Sequence, residues 1–256
     1  MNLIKQYDPL IYHLHHAGET EDVHFWIELA KLQQGSILEL GCGTGRLLVP
    51  LAEDGNQVIG LDINFERLTF LREQLAPQLS GLINIFQADM SAFHLDQKFS
   101  LVYLACNTLS TIQKDIRQQV YFRILEHLTE NGVFAASVPN PVQLEGLPES
   151  SESIMEEVFI HPITGDPIQV SSQWEKFDNR IIFRWHYDQL LPDGQVERNT
   201  IKTRHIIESP EEILNDLRAA DLIPLEIFGN FDKSTYDANS PYLIVLARKD
   251  SQDIKR

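Results

Sequence analysis

The chain has 256 residues, 43% of them apolar, which is enough for one α/β domain, alone or with a sizeable insertion, and makes disorder a poor description. A formal net charge of −16 argues against a phosphate-backbone partner and an anionic membrane surface, leaving a small neutral or cationic molecule as the easier ligand. Two cysteines, Cys42 and Cys106, have no disulfide or metal spacing, and no apolar run suits a signal peptide or a span of about 18 residues, so a cytoplasmic location is expected and oligomeric state stays open.

In chain order, residues 20–33 (TEDVHFWIELAKLQ) put Val23, Ile27, Leu29 and Ala30 at helical spacing. SILEL (36–40) is short, apolar and followed by glycine, so it predicts a buried strand. TGRLLVPLAEDG predicts a helix opening at Thr44 or Gly45 and stopping at Gly55, with Pro50 early enough to be tolerated. QVIGLD (57–62), LINIFQAD (82–89), FSLVYLAC (99–106) and GVFAASVP (132–139) predict four more strands. Between them lie FERLTFLREQLAPQL and DIRQQVYFRILEHLTENG (115–132), the latter a long amphipathic helix ending in Asn131-Gly132. This alternation implies right-handed crossovers and a parallel, doubly wound sheet.

The pattern changes at residue 141. Up to about 160 the chain reads as an acidic loop, with Pro141, Pro148 and ESSESIMEE. Three runs follow, PIQVSSQWEKF, RIIFRWHYDQLL and QVERNTIKTRHII, and the turn signals DN and PDG between them predict an antiparallel meander. SPEEILNDLRAADL restores a helix, with Ser209 as N-cap, Pro210 next and Glu212 closing a capping box. IPLEIFGNFD and PYLIVLARK predict the last two strands.

The turn after the first strand holds three glycines, and three ligand types begin this way. A phosphate loop needs Gly-x4-Gly-Lys-Ser/Thr, and the lysine is missing. A dinucleotide loop needs G-x-G-x-x-G, and counting from Gly41 the sixth place is Arg46. What stands is Glu39-x-Gly41-x-Gly43-x-Gly45. This resembles the first motif of class I S-adenosylmethionine-dependent methyltransferases. Asp62 ends the second strand, Asp89 ends the third in QADM, LVYLACNTLSTI resembles the fourth motif, and the strand–helix–strand finish resembles the family's ending.

The resemblance covers residues 1–140 and 208–249. It implies a Rossmann-like seven-stranded sheet of order 3-2-1-4-5-7-6 with the seventh strand antiparallel, and S-adenosyl-L-methionine as cofactor. The cofactor domain would span 1–140 and 208–256, with an N-terminal helical lid at 1–33, and the β insertion at 141–207 would cover the substrate. Gly41, Gly43 and Gly45 would allow close backbone approach, while Glu39 would orient the loop or meet the methionine ammonium through water. Asp62 would accept the ribose hydroxyls and Asp89 the adenine amino group. Ile63 and Met90 would wall the adenine, and Arg46 and Ala105 complete the cofactor set. Tyr7 of the lid is the first candidate to reach cofactor or substrate and Tyr12 the second, on the substrate side.

Methyl transfer from a sulfonium is an in-line displacement, so the protein must hold a nucleophile about 3 Å from the methyl group, exclude water and sometimes remove a proton. Asn107, just past the fourth strand, is placed to orient an amine or hydroxyl, although a turn residue capping the next helix reads the same way. CNTL is not the Asp/Asn-Pro-Pro-aromatic run of DNA amino-methyltransferases, and neither it nor PNPV supplies a metal's carboxylates, so neither nucleic acid nor metal is expected. In the insertion, alternation puts Phe183, Trp185 and Tyr187 on one face and Arg184, His186 and Asp188 on the other, with Trp174 joining the aromatic face if the short turn pairs the strands directly. His186, His205, Arg204 and His161 are the polar candidates for the acceptor, and His205 and Arg204 lie on opposite faces. The whole resembles the family's small-molecule branch, which includes glycine/sarcosine-type and amino-sugar N-methyltransferases. A small amine is the first acceptor expected and a natural-product hydroxyl or carboxylate the second. A cofactor-binding accessory or regulatory protein without turnover is the reading from another class.

Overall fold

The structure is a computed structural model that describes residues 8–250. Two helices, α1 (Pro9–Ala17) and α2 (Val23–Gln33), precede β1 (Ile37–Leu40), α3 (Leu48–Glu53), β2 (Val58–Asp62), α4 (Phe65–Gln74), β3 (Ile83–Gln87) and β4 (Phe99–Leu104). Then come α5 (Thr108–Thr111), α6 (Lys114–His127) and β5 (Leu128–Pro139). The inserted segment holds α7 (Pro141–Gly146), β6 (Ile154–Ile160), β7 (Pro167–Phe177), β8 (Arg180–Leu190) and β9 (Val196–Ile206). The chain returns through α8 (Pro210–Ala219), β10 (Leu222–Phe228) and β11 (Tyr242–Lys249).

The main sheet has seven strands in the order β10-β11-β5-β4-β1-β2-β3. Strands β1 to β5 pair in parallel, and β11 is antiparallel to both β5 and β10. Leaving out the inserted strands, this is the expected 3-2-1-4-5-7-6 order. Side-chain alternation feeds two cores. Ile37, Leu101, Tyr103 and Ala135 meet Trp26, Leu48 and Leu68 on the side of α2, α3 and α4. Leu38, Leu40, Val102 and Phe134 meet Val120, Ile124 and Leu217 on the side of α6 and α8. Strands covered on both faces read as unbroken apolar runs, and each large side chain so buried contributes about 1.5–3 kcal/mol.

Three expectations need correction. The helix after β1 starts at Leu48, because residues 41–45 hold three positive-φ glycines and cannot begin it; Pro50 is then its third residue, and it interrupts the first turn by one bond only, since Val49 and Leu51 on either side donate to the Gly45 and Leu47 carbonyls. Helix α6 stops at His127, so Asn131-Gly132 lies inside β5. Gly132 is needed there by close approach, since a Cβ would come 2.8 Å from the Phe99 carbonyl oxygen. The supposed loop at 141–160 contains α7 and β6, the fourth strand of a separate antiparallel sheet ordered β6-β7-β8-β9. The three meander runs are β7, β8 and β9, and the capping box at Ser209 and Glu212 is present.

Both ends of the insertion are tied to the main sheet. At the start, the buried Asn140 side chain donates to the Ser240 carbonyl (2.7 Å) and accepts from the Tyr236 hydroxyl (2.7 Å). At the end, Arg117 of α6 is buried between Glu208 and Asp216 of α8. Losing either buried partner would leave polar groups unpaired, so these ties fix where the inserted sheet stands. No described helix is long and apolar enough to cross a membrane.

Candidate active site

The carboxyl ends of β1, β2 and β4 meet under α1, where open α/β sheets take ligands. Gly41 and Gly43 have φ of 80° and 55°. A Cβ on Gly41 would lie 3.6 Å from Met90 Cε and 3.6 Å from Thr108 Cγ2, and one on Gly43 would meet the Tyr12 ring at 3.7 Å. Gly45 differs from expectation. A Cβ there would stand 2.5 Å from Leu71 Cδ1, so its missing side chain serves packing against α4 rather than a ligand.

Asp62 fastens the loop. One oxygen accepts the Gly43 N–H (2.8 Å) and the other the Asn64 N–H (2.7 Å), holding a buried carboxylate whose remaining lone pairs can accept further donors. Glu39 lies at the end of β1 with Oε2 buried and without a hydrogen-bond partner. Burial pushes its carboxyl up to about 7, against the opposing pull of the neighbouring Tyr103 hydroxyl and Arg46 guanidinium. Tyr103 stands beside it without a hydrogen bond of good geometry.

The other expected cofactor residues divide. Met90 packs next to Gly41, Ala105 is buried at the end of β4, and Ile63 leaves its apolar side chain 68% exposed beside Asp62. Asp89 is exposed, and one oxygen accepts the Ser91 hydroxyl and N–H (2.7 and 2.8 Å), which hold its carboxyl below the usual range. Arg46 departs from expectation: its two terminal nitrogens donate to both Asp22 oxygens (2.6 and 2.8 Å), the Glu19 carbonyl and Cys106 Sγ, so the guanidinium ties down the α1–α2 turn. Tyr12 stands on the glycine side rather than the substrate side, beside Asp62 with Arg67 3.8 Å from its ring centre, and burial pushes its hydroxyl up to about 12. Tyr7 lies outside the described residues.

Past β4, Cys106 and Asn107 are consecutive residues with positive φ (54° and 61°), a strained turn of the kind that gathers at functional sites. The Asn107 carbonyl accepts the Ser110 hydroxyl (2.7 Å), and Ser110 Oγ lies 2.8 Å from His205 Nδ1. His205 is on the inner face of the inserted sheet, edge-on to Phe183. That face carries the expected aromatics, and Trp174 joins them opposite Phe183. Trp185 and Tyr187 meet α1: His15 packs on the Trp185 ring, and its Nδ1 lies 2.7 Å from the Tyr187 hydroxyl.

His186 and Arg204 do not reach the cleft. Both alternate with the inner-face residues and point outward, His186 to Thr200 Oγ1 (2.8 Å) and Arg204 to solvent. His161 is also elsewhere, its Nδ1 accepting the Ile163 and Thr164 N–H groups in the β6–β7 turn. The sequence reading passed over His15 and Ser110. The three histidines of YHLHH, His13, His15 and His16, on an otherwise apolar helix were the available signal for the first. Ser110 in TLST has none.

Residues 37–132 match the family model described as a methyltransferase domain. That segment is a methyltransferase domain. It is 29% identical over 148 residues to YqeM of Bacillus subtilis, whose name assigns it as a methyltransferase; the match takes in 57% of this chain and 58% of that protein's length. Among solved structures, an S-adenosylmethionine-dependent methyltransferase from Clostridium acetobutylicum superposes with a TM-score of 0.79 at 16% identity, covering 93% of this chain and 97% of the other. The sugar N-methyltransferase KedS8 from Streptoalloteichus superposes with a TM-score of 0.75 at 17% identity, covering 98% and 95%. At these identities the superpositions show that the methyltransferase fold takes in the inserted sheet as well as the matched domain.

Proposed function

We propose that this methyltransferase moves the methyl group of S-adenosyl-L-methionine to a small-molecule acceptor, in the first instance an amine nitrogen. The reading is carried by Glu39, a buried carboxylate with one oxygen unpartnered at the lip of a glycine cradle. A fixed cation belongs beside such a group, and the cofactor's methionine ammonium is one. The rest of the site fits the same molecule. Asp62 keeps lone pairs for ribose hydroxyls, Gly41 and Gly43 leave backbone exposed, Ile63 and Met90 offer apolar surface to a base, and Asp89 keeps an oxygen for an amino group.

The cofactor supplies an electrophilic methyl group on a sulfonium. The chain's own part is to hold that group at the carboxyl end of β4, to exclude water with α1 and the inserted sheet, and to aim the acceptor in line. The amine reading is supported by the likeness to KedS8 through the inserted sheet, and by a carboxylate on the sheet's inner face, Glu157, whose Oε1 is buried without a hydrogen bond and lies 3.9 Å from His15 Nε2. Calorimetry against S-adenosylhomocysteine and NAD, followed by labelled methyl transfer to amines, hydroxyls and carboxylates, tests it. S-adenosylhomocysteine should bind the more tightly, and Asp62→Ala should weaken it by about 1–3 kcal/mol. Tighter NAD binding overturns the proposal, and cofactor binding with no transfer to any acceptor replaces it with a non-catalytic role.

A further inference from the structure

Ser110 has one hydroxyl proton and two close neighbours, the Asn107 carbonyl oxygen at 2.7 Å and His205 Nδ1 at 2.8 Å. A carbonyl oxygen can only accept. If Ser110 gave its proton to His205, two oxygens would face each other at 2.7 Å with no hydrogen between them. Both contacts are hydrogen bonds only when Ser110 donates to Asn107 and His205 Nδ1–H donates to Ser110. The neutral ring then carries its lone pair on Nε2, for which no partner exists among the described residues.

The surroundings hold this state. Ser110 is 6% exposed, and the left-handed Asn107 turns its carbonyl back into the short helix α5. Ile181 lies across from His205 and Phe183 stands edge-on to it. Neither these nor the Thr108–Thr111 side chains of α5 bring a charge to the ring; burial alone lowers its pKa, to about 4, so it is uncharged near neutral pH. Thr108, at the start of the same short helix, abuts Gly41, so α5 touches both the cradle and His205.

Resting on the methyltransferase reading, we propose that Ser110 is a positioning residue that locks His205 in its Nδ1–H form, so that Nε2 accepts a hydrogen bond from the methyl acceptor and turns the acceptor's lone pair toward the methyl group. The acceptor must therefore donate a hydrogen, and an amine must arrive uncharged to have a lone pair left. Its nitrogen then forms the bond to the methyl carbon as the carbon–sulfur bond breaks with its electron pair left on sulfur. The positive charge passes to nitrogen, and the N–H pointing at Nε2 becomes the more acidic one. A tertiary amine, which has no such hydrogen, is a poor acceptor.

The full chain labelled with nitrogen-15 histidine gives a direct test by NMR, with His205 assigned through His205→Gln. The expected spectrum has a protonated Nδ1 and a bare Nε2, retained in Ser110→Thr and mixed between forms in Ser110→Ala. A protonated Nε2 in the wild-type chain overturns the proposal, as does a Ser110→Ala ring that does not change. S-adenosylhomocysteine affinity should stay the same in Ser110→Ala, which shows the cradle intact. If the wild-type chain itself fails to bind it, the methyltransferase reading fails while the tautomer result stands. On whichever acceptor takes label, Ser110→Ala should lower kcat about tenfold with cofactor KM unchanged and Ser110→Thr should restore it. An undiminished kcat overturns the role.

Discussion

Glu39 shows how one residue can report on a ligand that the rest of the cradle only accommodates. Burial holds its carboxyl at about 7, so near neutral pH the ligand-free protein divides between acid and carboxylate. An ammonium placed beside it favours the carboxylate and must displace the proton wherever one is bound. Affinity for S-adenosylhomocysteine should therefore rise with pH between 6 and 7.5, at most about tenfold per unit below the carboxyl's own value, and binding should release a proton. Glu39→Gln should bind about 1.5–3 kcal/mol more weakly at the upper end and lose the pH dependence. Calorimetry in buffers of differing ionisation enthalpy measures both quantities. A flat wild-type profile would remove the ammonium contact and with it the main support for the cofactor assignment.

At the scale of elements, α1 is a wall shared by two sites. Its Tyr12 covers Gly43 and its Ile11 and His15 pack on the inserted sheet, so the glycine loop and the sheet are coupled through one helix. Tyr187→Phe removes the hydroxyl that meets His15 and should weaken S-adenosylhomocysteine binding severalfold, roughly 1 kcal/mol, although Tyr187 belongs to the sheet. Unchanged affinity would mean that α1 holds its place without that contact. Elements with both faces covered were readable from sequence: β1 and β4 are apolar runs whose neighbours could only be helices. β6 was not, because an edge strand in which Ile154, Met155, Val158 and Ile160 stay exposed around two glutamates has neither burial nor alternation to announce it. Gly132 was misread for a related reason, since a glycine demanded by a neighbouring carbonyl looks the same as one that stops a helix. In the site, motif spacing located Glu39, Gly43 and Asp62. Alternation separated His205 from Arg204 but left open which face of the sheet met the domain, and contacts with α1 and α5 decide that.

Across the whole molecule, the same buried groups set how stability responds to acid. His15 and His205 are held at about 4 by burial, against about 6.5 in an unfolded chain. Between those values the unfolded chain binds protons that the folded one refuses, so their contribution is complete above about 6.5 and is lost as pH falls toward 4. His13, His127 and His186 shift in the same direction. Glu39 works against them, because its raised carboxyl keeps a proton when folded that the unfolded chain has released. Two histidines against one glutamate leave about one proton near pH 5, a difference that shrinks toward pH 6.5 as the unfolded histidines lose theirs, so unfolding free energy should climb by about 1.4 kcal/mol per unit near pH 5 and less steeply above it. The falling net negative charge in acid relieves self-repulsion and opposes this trend, but it is common to all variants and cancels between them. Urea titrations at a series of pH values should find a steeper climb in Glu39→Gln, by up to one further proton, and a shallower one in His205→Gln. A Glu39→Gln slope equal to that of the parent would mean that Glu39 is not protonated in the folded, ligand-free protein, and would place a cation beside it before any cofactor arrives.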